Sequence, residues 1–166
     1  MDFEANGMLP AGLHDYSVEQ FITQFVDGFP TSQRRKQIAD ALFAFAREIF
    51  AYGIPFEFWI DGSYVTTKVN PNDADLALFF HYPDLAKLPA EKNVLHQKYA
   101  QYLDPYYLCA ASPENQQILP KKVFNNVVNH RNYWRGQFGF DRSDVPKGIV
   151  RLSCDSLLEY LNRRES

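Results

Sequence analysis

Between Phe56 and Phe80 the alternation of apolar and polar positions changes twice. Phe56, Phe58 and Ile60 alternate with Glu57, Trp59 and Asp61, the period-2 pattern of a strand with unlike faces, and the run stops at Gly62-Ser63. A second run, Asp73-Ala74-Asp75-Leu76-Ala77-Leu78-Phe79-Phe80, predicts another strand. Alternate strand side chains share a face, so Asp73 and Asp75 point the same way. The segment reads as strand, Gly-Ser turn, loop and strand, with two carboxylates converging beside the turn.

Upstream, residues 1–16 contain Gly7, Pro10 and Gly12 and read as an extended arm. Ser17 with Gln20 makes a capping box, and Val18, Phe21, Ile22, Phe25 and Val26 form the stripe of a short helix ending near Gly28. From Thr31 to about Tyr52, the spacing of Ile38, Leu42, Phe45, Ile49 and Phe50 predicts a long amphipathic helix. Arg34, Arg35 and Lys36 in its first turns oppose the helix dipole and read as a solvated face, with a phosphate or acidic partner as the alternative. Downstream, His81-Tyr82-Pro83 breaks the sheet, and Pro89 to about Tyr102 reads as a polar helix with Leu95 and Tyr99 turned inward. Leu103 to Ala111 predicts a third strand, with Pro105 tolerable at its start or on an edge. Lys147 to Leu152 predicts a fourth, and Leu157, Leu158 and Leu161 a closing helix capped by Ser153 or Asp155. The expected fold is α/β (α+β): one domain over residues 1–166, a small mixed sheet of four or five strands with the two early helices on one face.

Composition narrows the function classes. A chain of 166 residues suits one domain, and an aromatic share of 16% suits a dense core rather than disorder. A net charge of −3 excludes a generally basic nucleic-acid binder, but not a local basic patch. Such a patch lies in residues 121–151, where Lys121, Lys122, Arg131, Arg135, Arg142 and Lys147 interleave with Phe124, Tyr133, Trp134, Phe138 and Phe140. This suits phosphate contacts with base stacking, and equally a core flank with a solvated rim. Cys109 and Cys154 lack metal-ligand spacing and read as reduced, buried thiols. No charged leader opens the chain, and no apolar run reaches the roughly 18 residues a membrane span needs. A cytoplasmic protein is expected.

The chemistry follows from the two aspartates. Like charges side by side raise one another's pKa unless a cation joins them, and paired carboxylates suit Mg²⁺, which keeps waters for phosphates to replace. Gly62 has no Cβ and lets the backbone approach a phosphate, while Ser63 adds a hydroxyl donor. Lys68, in the loop between the two halves, can reach a phosphate or simply be solvated. Lys147, in a Pro-Lys-Gly turn entering a strand, can hold a cation over the site. Arg131 and Arg135 fit a partner surface, and Arg142 with them a polyanion contact.

Gly62-Ser63 followed by Asp73-x-Asp75 between apolar residues resembles the signature of the nucleotidyltransferase fold superfamily, the polymerase-beta-like enzymes. The resemblance implies an NTP held at the Gly-Ser turn and two Mg²⁺ ions held by the Asp pair and a third carboxylate on a later strand. Asp104 is the candidate for that third position, as ligand or base, with a pre-proline turn as its alternative; Asp84 and Glu114 lie in Pro-containing loops and suit it less. Asp61 departs from the pattern, since an apolar residue usually precedes the glycine, and it reads as a solvated strand end.

A narrower resemblance covers most of the chain. Asn6 to His14, Arg34-Arg35, WIDGSYVTTKVNPNDAD and PKGIV in this order are similar to an uncharacterised bacterial family of short nucleotidyltransferase-like proteins. Members are suspected of toxin–antitoxin or phage-defence roles. His14 belongs to that likeness, or ties the arm to the domain by hydrogen bonds. Three functions are therefore open: NMP transfer from an NTP to a protein or RNA hydroxyl, a nucleotide-binding antitoxin acting on a cognate partner protein, and a nucleic-acid-binding module without catalysis.

Overall fold

The computed structural model describes residues 2–88 and 92–163. Five strands form one mixed sheet: β1 (Gly12–Tyr16), β2 (Phe56–Asp61), β3 (Ala74–Phe80), β4 (Leu103–Cys109) and β5 (Gly148–Leu152), in the order β1-β5-β2-β3-β4. The β2–β3 and β2–β5 pairs are antiparallel, and the two outer pairs, β1–β5 and β3–β4, are parallel. The helices are α1 (Val18–Ile22), α2 (Gln33–Phe50), α3 (Tyr82–Leu85), α4 (Lys92–Tyr99), α5 (Pro113–Ile118), α6 (Lys121–Gly139) and α7 (Cys154–Arg163). The expected α/β class is what is found.

The larger core fills one face of the sheet. Phe58 and Ile60 of β2, Leu76, Leu78 and Phe80 of β3, and Val150 and Leu152 of β5 meet Phe21, Leu42, Phe45, Ile49 and Leu157 from the helices. Ser17 caps α1 through the reciprocal bonds of a capping box with Gln20, and a π-helical turn, Thr23–Asp27, carries the chain on to Gly28. The opposite face holds a smaller cluster of Trp59, Ala77, Phe79 and Ile149 beneath Phe138 and Trp134 of α6. Trp59 is therefore fully buried, and the alternation in β2 separates two covered faces rather than a wet one from a dry one.

Several expectations are corrected. The arm is not merely extended: its end is β1, paired with β5 from Gly12↔Gly148 to Tyr16↔Leu152. Leu9 just before it is 1% exposed, and its carbonyl accepts from the Gly148 amide. Only Tyr16 of β1 is buried, so GLHDY carries no alternation to reveal an edge strand whose partner lies far along the chain. His14 Nε2 lies 2.6 Å from the Pro10 carbonyl oxygen, which ties the arm to itself.

The solvated reading of Arg35 is also overturned. Arg35 is 0% exposed and gives its guanidinium donors to the carbonyls of Phe25, Tyr64, Thr66 and Lys68 at 2.6–3.1 Å. The Phe29 ring lies 3.7 Å from its carbon. Its neighbour Arg34 donates to the Asn72 and Gln101 carbonyls and covers Tyr102. Both arginines grip the chain on either side of the motif, and carbonyl dipoles replace the carboxylate that a buried cation ordinarily needs.

Residues 121–139 form one long helix, α6, that the basic aromatic composition concealed. Its asparagines are weak helix formers, and only Val127 and Phe138 are buried. The polar helix expected over Pro89 to Tyr102 spans Lys92–Tyr99; residues 89–91 lie outside the described part. Asn115 of α5 joins the ends of β3 and β4: its amide donates to the Phe80 and Ala110 carbonyls and its oxygen accepts from the Tyr82 amide. Among the described residues no helix is long and apolar enough to cross a membrane.

Candidate functional site

At one end of the sheet the strand register brings acidic side chains into a row. Asp61 of β2 lies opposite Asp75 of β3, and Asp75 lies beside Asp104 of β4. Paired residues of neighbouring strands point to the same face, so the three carboxylates stand side by side, on the face that α6 partly covers. Asp73, one residue before β3, adds a fourth. Burial pushes the Asp75 carboxyl above its ordinary range, and the charges of Asp73 and then Asp104 push it further.

The Gly-Ser turn closes against this row. Gly62 has φ +81°, in the region that favours glycine, and an added Cβ would stand 2.2 Å from Asp75 Oδ2. Ser63–Val65 then make a single 3₁₀ turn, and the Thr66 hydroxyl donates to the Ser63 carbonyl at 2.8 Å. The Arg35 bonds to Tyr64, Thr66 and Lys68 fix the loop from beneath, and the Thr67 amide donates to the Gly7 carbonyl from the arm at 2.9 Å. Sequence, fold and site connect here. A buried arginine and a glycine backbone together hold the turn that faces the carboxylates.

Asp61 is 4% exposed rather than solvated. Lys147 Nζ donates to its Oδ2 at 2.8 Å, while Oδ1 is buried and finds no hydrogen-bond partner among the described residues. Burial raises the Asp61 carboxyl to about 6 against the opposing pull of the Lys147 ammonium. Nothing local in the sequence could reveal this pair, because its members are 86 positions apart.

A cavity of about 1000 Å³ opens over the row. Gly62, Ser63, Lys68, Asp73, Asp75, Arg142 and Lys147, all expected at a site, line it together with Asp61. Its other wall is aromatic: Tyr106, Tyr133, Trp134, Phe138 and Phe140. Met8 from the arm and Gln137 complete a rim that the sequence did not indicate. Asp104 stands in the row, but its Oδ2 accepts from the Tyr106 hydroxyl at 2.7 Å, and it does not line the cavity. The Asp104–Tyr106 alternation was the signal for that contact. Arg131 and Arg135 lie outside it too; the Arg131 guanidinium sits 5.2 Å from the Trp59 ring and Arg135 is exposed. Asp84, the weaker alternative, is taken up by Lys87 at 2.5 Å, and Glu114 is exposed in the first turn of α5.

Among the described residues no three His, Cys, Asp or Glu side chains come close enough to hold a metal ion between them. The donor set nevertheless fits a hard cation of the Mg²⁺ kind, which one or two carboxylates share with water and phosphate oxygens. Asp73 and Asp75 are the residues that would contribute, and the raised Asp75 carboxyl is the cost that a cation would relieve.

Fold and site together define an α/β protein with a carboxylate row, a glycine turn and an aromatic wall around one cavity. The chain belongs to DUF6932, a family of unknown function whose model matches residues 1–153. No curated protein and no solved structure matches it.

Proposed function

We propose that this protein is a Mg²⁺-dependent nucleotidyltransferase that moves an NMP from an NTP to a hydroxyl acceptor on RNA or protein. The observation that carries this reading is the closure of the Gly62 turn on Asp75, with Asp73 and Asp104 flanking Asp75 and Lys68, Arg142 and Lys147 on the same cavity. Such a site brings phosphate-binding cations and metal-binding carboxylates within one molecule's length, and a nucleotide fits a cavity of about 1000 Å³.

In this reading the aromatic wall takes the base by stacking, and Lys68, Arg142 and the Ser63 hydroxyl take the phosphates. Mg²⁺ when bound would neutralise phosphate charge and acidify a coordinated hydroxyl. Lys147, held by Asp61 on the wall of the same cavity, would offset negative charge that builds up on the leaving pyrophosphate. The acceptor oxygen bonds to the α-phosphorus, the bond to the pyrophosphate oxygen breaks, and the acceptor proton passes to a carboxylate that lines the cavity, Asp73 or Asp75, with Asp104 beside Asp75 favouring the protonated form of Asp75. Tyr106, donating to Asp104, sets the orientation of that carboxylate.

The test uses the four NTPs, each labelled at the α-phosphate, with the full chain, Mg²⁺ and a cell lysate. The expected result is label on one macromolecular fraction, and none from the same NTP labelled at the γ-phosphate. Absence of α-label transfer from every NTP, or transfer of γ-label, would contradict NMP transfer. A toxin–antitoxin or phage-defence setting, with a cognate partner protein, remains part of the proposal through the family likeness alone, and a cytoplasmic location through the reading of Cys109 and Cys154 as reduced thiols.

A further inference from the structure

The turn over residues 4–8 of the arm buries little of itself, yet it is held in one shape. Glu4, Ala5 and Asn6 are exposed. The Glu4 amide donates to the Met8 carbonyl and the Gly7 amide to the Glu4 carbonyl, both at 2.8 Å, while the Asn6 side chain accepts from the Met8 amide at 2.9 Å. Asn-Gly suits such a turn, because the asparagine oxygen bonds the backbone two residues on and glycine accepts a positive φ, here +79°. The turn meets the motif loop at Thr67. The Thr67 amide donates to the Gly7 carbonyl at 2.9 Å, and a Cβ added to Gly7 would stand 2.2 Å from Thr67 Oγ1. The residues that follow these two, Met8 and Lys68, both line the cavity.

We infer that Gly7 is a positioning residue of this site: it clasps the loop over residues 66–68, so that Lys68 is presented to the phosphates of a bound nucleotide. The inference rests on the nucleotide reading of the cavity. Two grips on the loop divide the work by chemistry. Arg35 carries donors only, and it takes the Thr66 and Lys68 carbonyls from beneath. The Thr67 amide between them is itself a donor, which Arg35 cannot satisfy, and the Gly7 carbonyl supplies the acceptor. A lysine on a free loop must order the loop as well as its own side chain when it takes a phosphate, whereas a loop gripped on both sides leaves only the side chain to order. Glycine is required at the contact, because any side chain there would push Thr67 away. The clasp is not what holds the arm to the domain. Leu9, buried two residues on, does that, so a change at Gly7 leaves the anchor in place.

The test is calorimetric titration of the four Mg-NTPs into the wild type, Gly7→Ala, Lys68→Ala and the protein carrying both changes, with thermal melting of each. Gly7→Ala should weaken the NTP that the wild type binds by about tenfold, and Lys68→Ala by about as much. The two changes together should weaken it no further than Lys68→Ala alone, because Gly7 acts through Lys68. A role in stability alone would make the two losses multiply. Thr67→Ala in the Gly7→Ala background removes the hydroxyl that the new Cβ would meet, and it should restore part of the affinity. Should Gly7→Ala melt below the temperature of titration, Asn6→Ala takes its place: Asn6 is exposed, its loss removes the bond to the Met8 amide, and the same comparison with Lys68→Ala applies. Wild-type affinity in Gly7→Ala, losses that multiply with Lys68→Ala, or no recovery with Thr67→Ala would each overturn the clasp. Wild-type binding with an indifferent Gly7→Ala removes the clasp alone, whereas no NTP binding to the wild type removes the nucleotide reading and the clasp with it.

Discussion

Arg35 carries more of this structure than any other single polar side chain. Its guanidinium satisfies carbonyls from three points of the motif loop, so truncation orphans several buried acceptors at about 1–3 kcal/mol each. Arg35→Ala should lower the unfolding free energy by about 3–5 kcal/mol in chemical denaturation. Arg35→Lys should recover little, since an ammonium cannot reproduce the planar fork. A loss under about 1 kcal/mol for Arg35→Ala would mean that the loop holds itself. Burial lowers the Arg35 group to about 10, still charged at neutral pH. Asp61 makes a prediction of a different kind. Its carboxyl is raised to about 6 by burial, so folding favours its protonated form, and the stability this contributes is present below about pH 4 and lost as pH rises through about 6. Melting temperatures of the wild type minus those of Asp61→Asn should therefore decline between about pH 4 and 6. Parallel profiles would show that Asp61 titrates normally.

At the scale of elements, the glycine turn and β1 show how unevenly the sequence reveals structure. β2 was legible from its period-2 alternation, β3 from the apolar run that follows Asp75, and α1 from its capping box, because those signals are local. β1 and α6 were not. A two-sided edge strand with a single buried residue leaves no pattern, and a helix resting on the sheet through two buried side chains leaves a weak one. The candidate site divides the same way: Gly62, Ser63, Asp73 and Asp75 lie within one local motif, whereas Arg35 and the Asp61–Lys147 pair depend on contacts across the chain that no spacing encodes. The arm is an integral element, so Leu9→Ala should cost about 2–5 kcal/mol in the same denaturation assay, as for other buried leucines. An arm that is only extended chain would show no change. Gly62→Ala must shift Asp75 and also adopt a strained φ, so a fall of about 1–3 kcal/mol in stability should accompany a larger loss of nucleotide affinity. Stability loss without any change in affinity would make the turn purely structural.

For the whole molecule, the mixed sheet acts as a frame that sets carboxylates from three neighbouring strands in one row and leaves a cavity between that row and α6. The row is held together against its own repulsion, a tension that the cation of the proposed function would relieve. Asp75→Asn removes one of the repelling charges and should leave the apo protein at least as stable as the wild type, by thermal melting. The same substitution should remove the metal's contribution to nucleotide binding. Calorimetric titration of each NTP, with and without Mg²⁺, into the wild type and into Asp75→Asn tests the central claim most directly. Binding of at least one NTP that is strong only with Mg²⁺ in the wild type, and equally weak with or without Mg²⁺ in Asp75→Asn, is the result predicted. Mg-NTP binding that is unchanged in Asp75→Asn, or no NTP binding to the wild type at all, would contradict it.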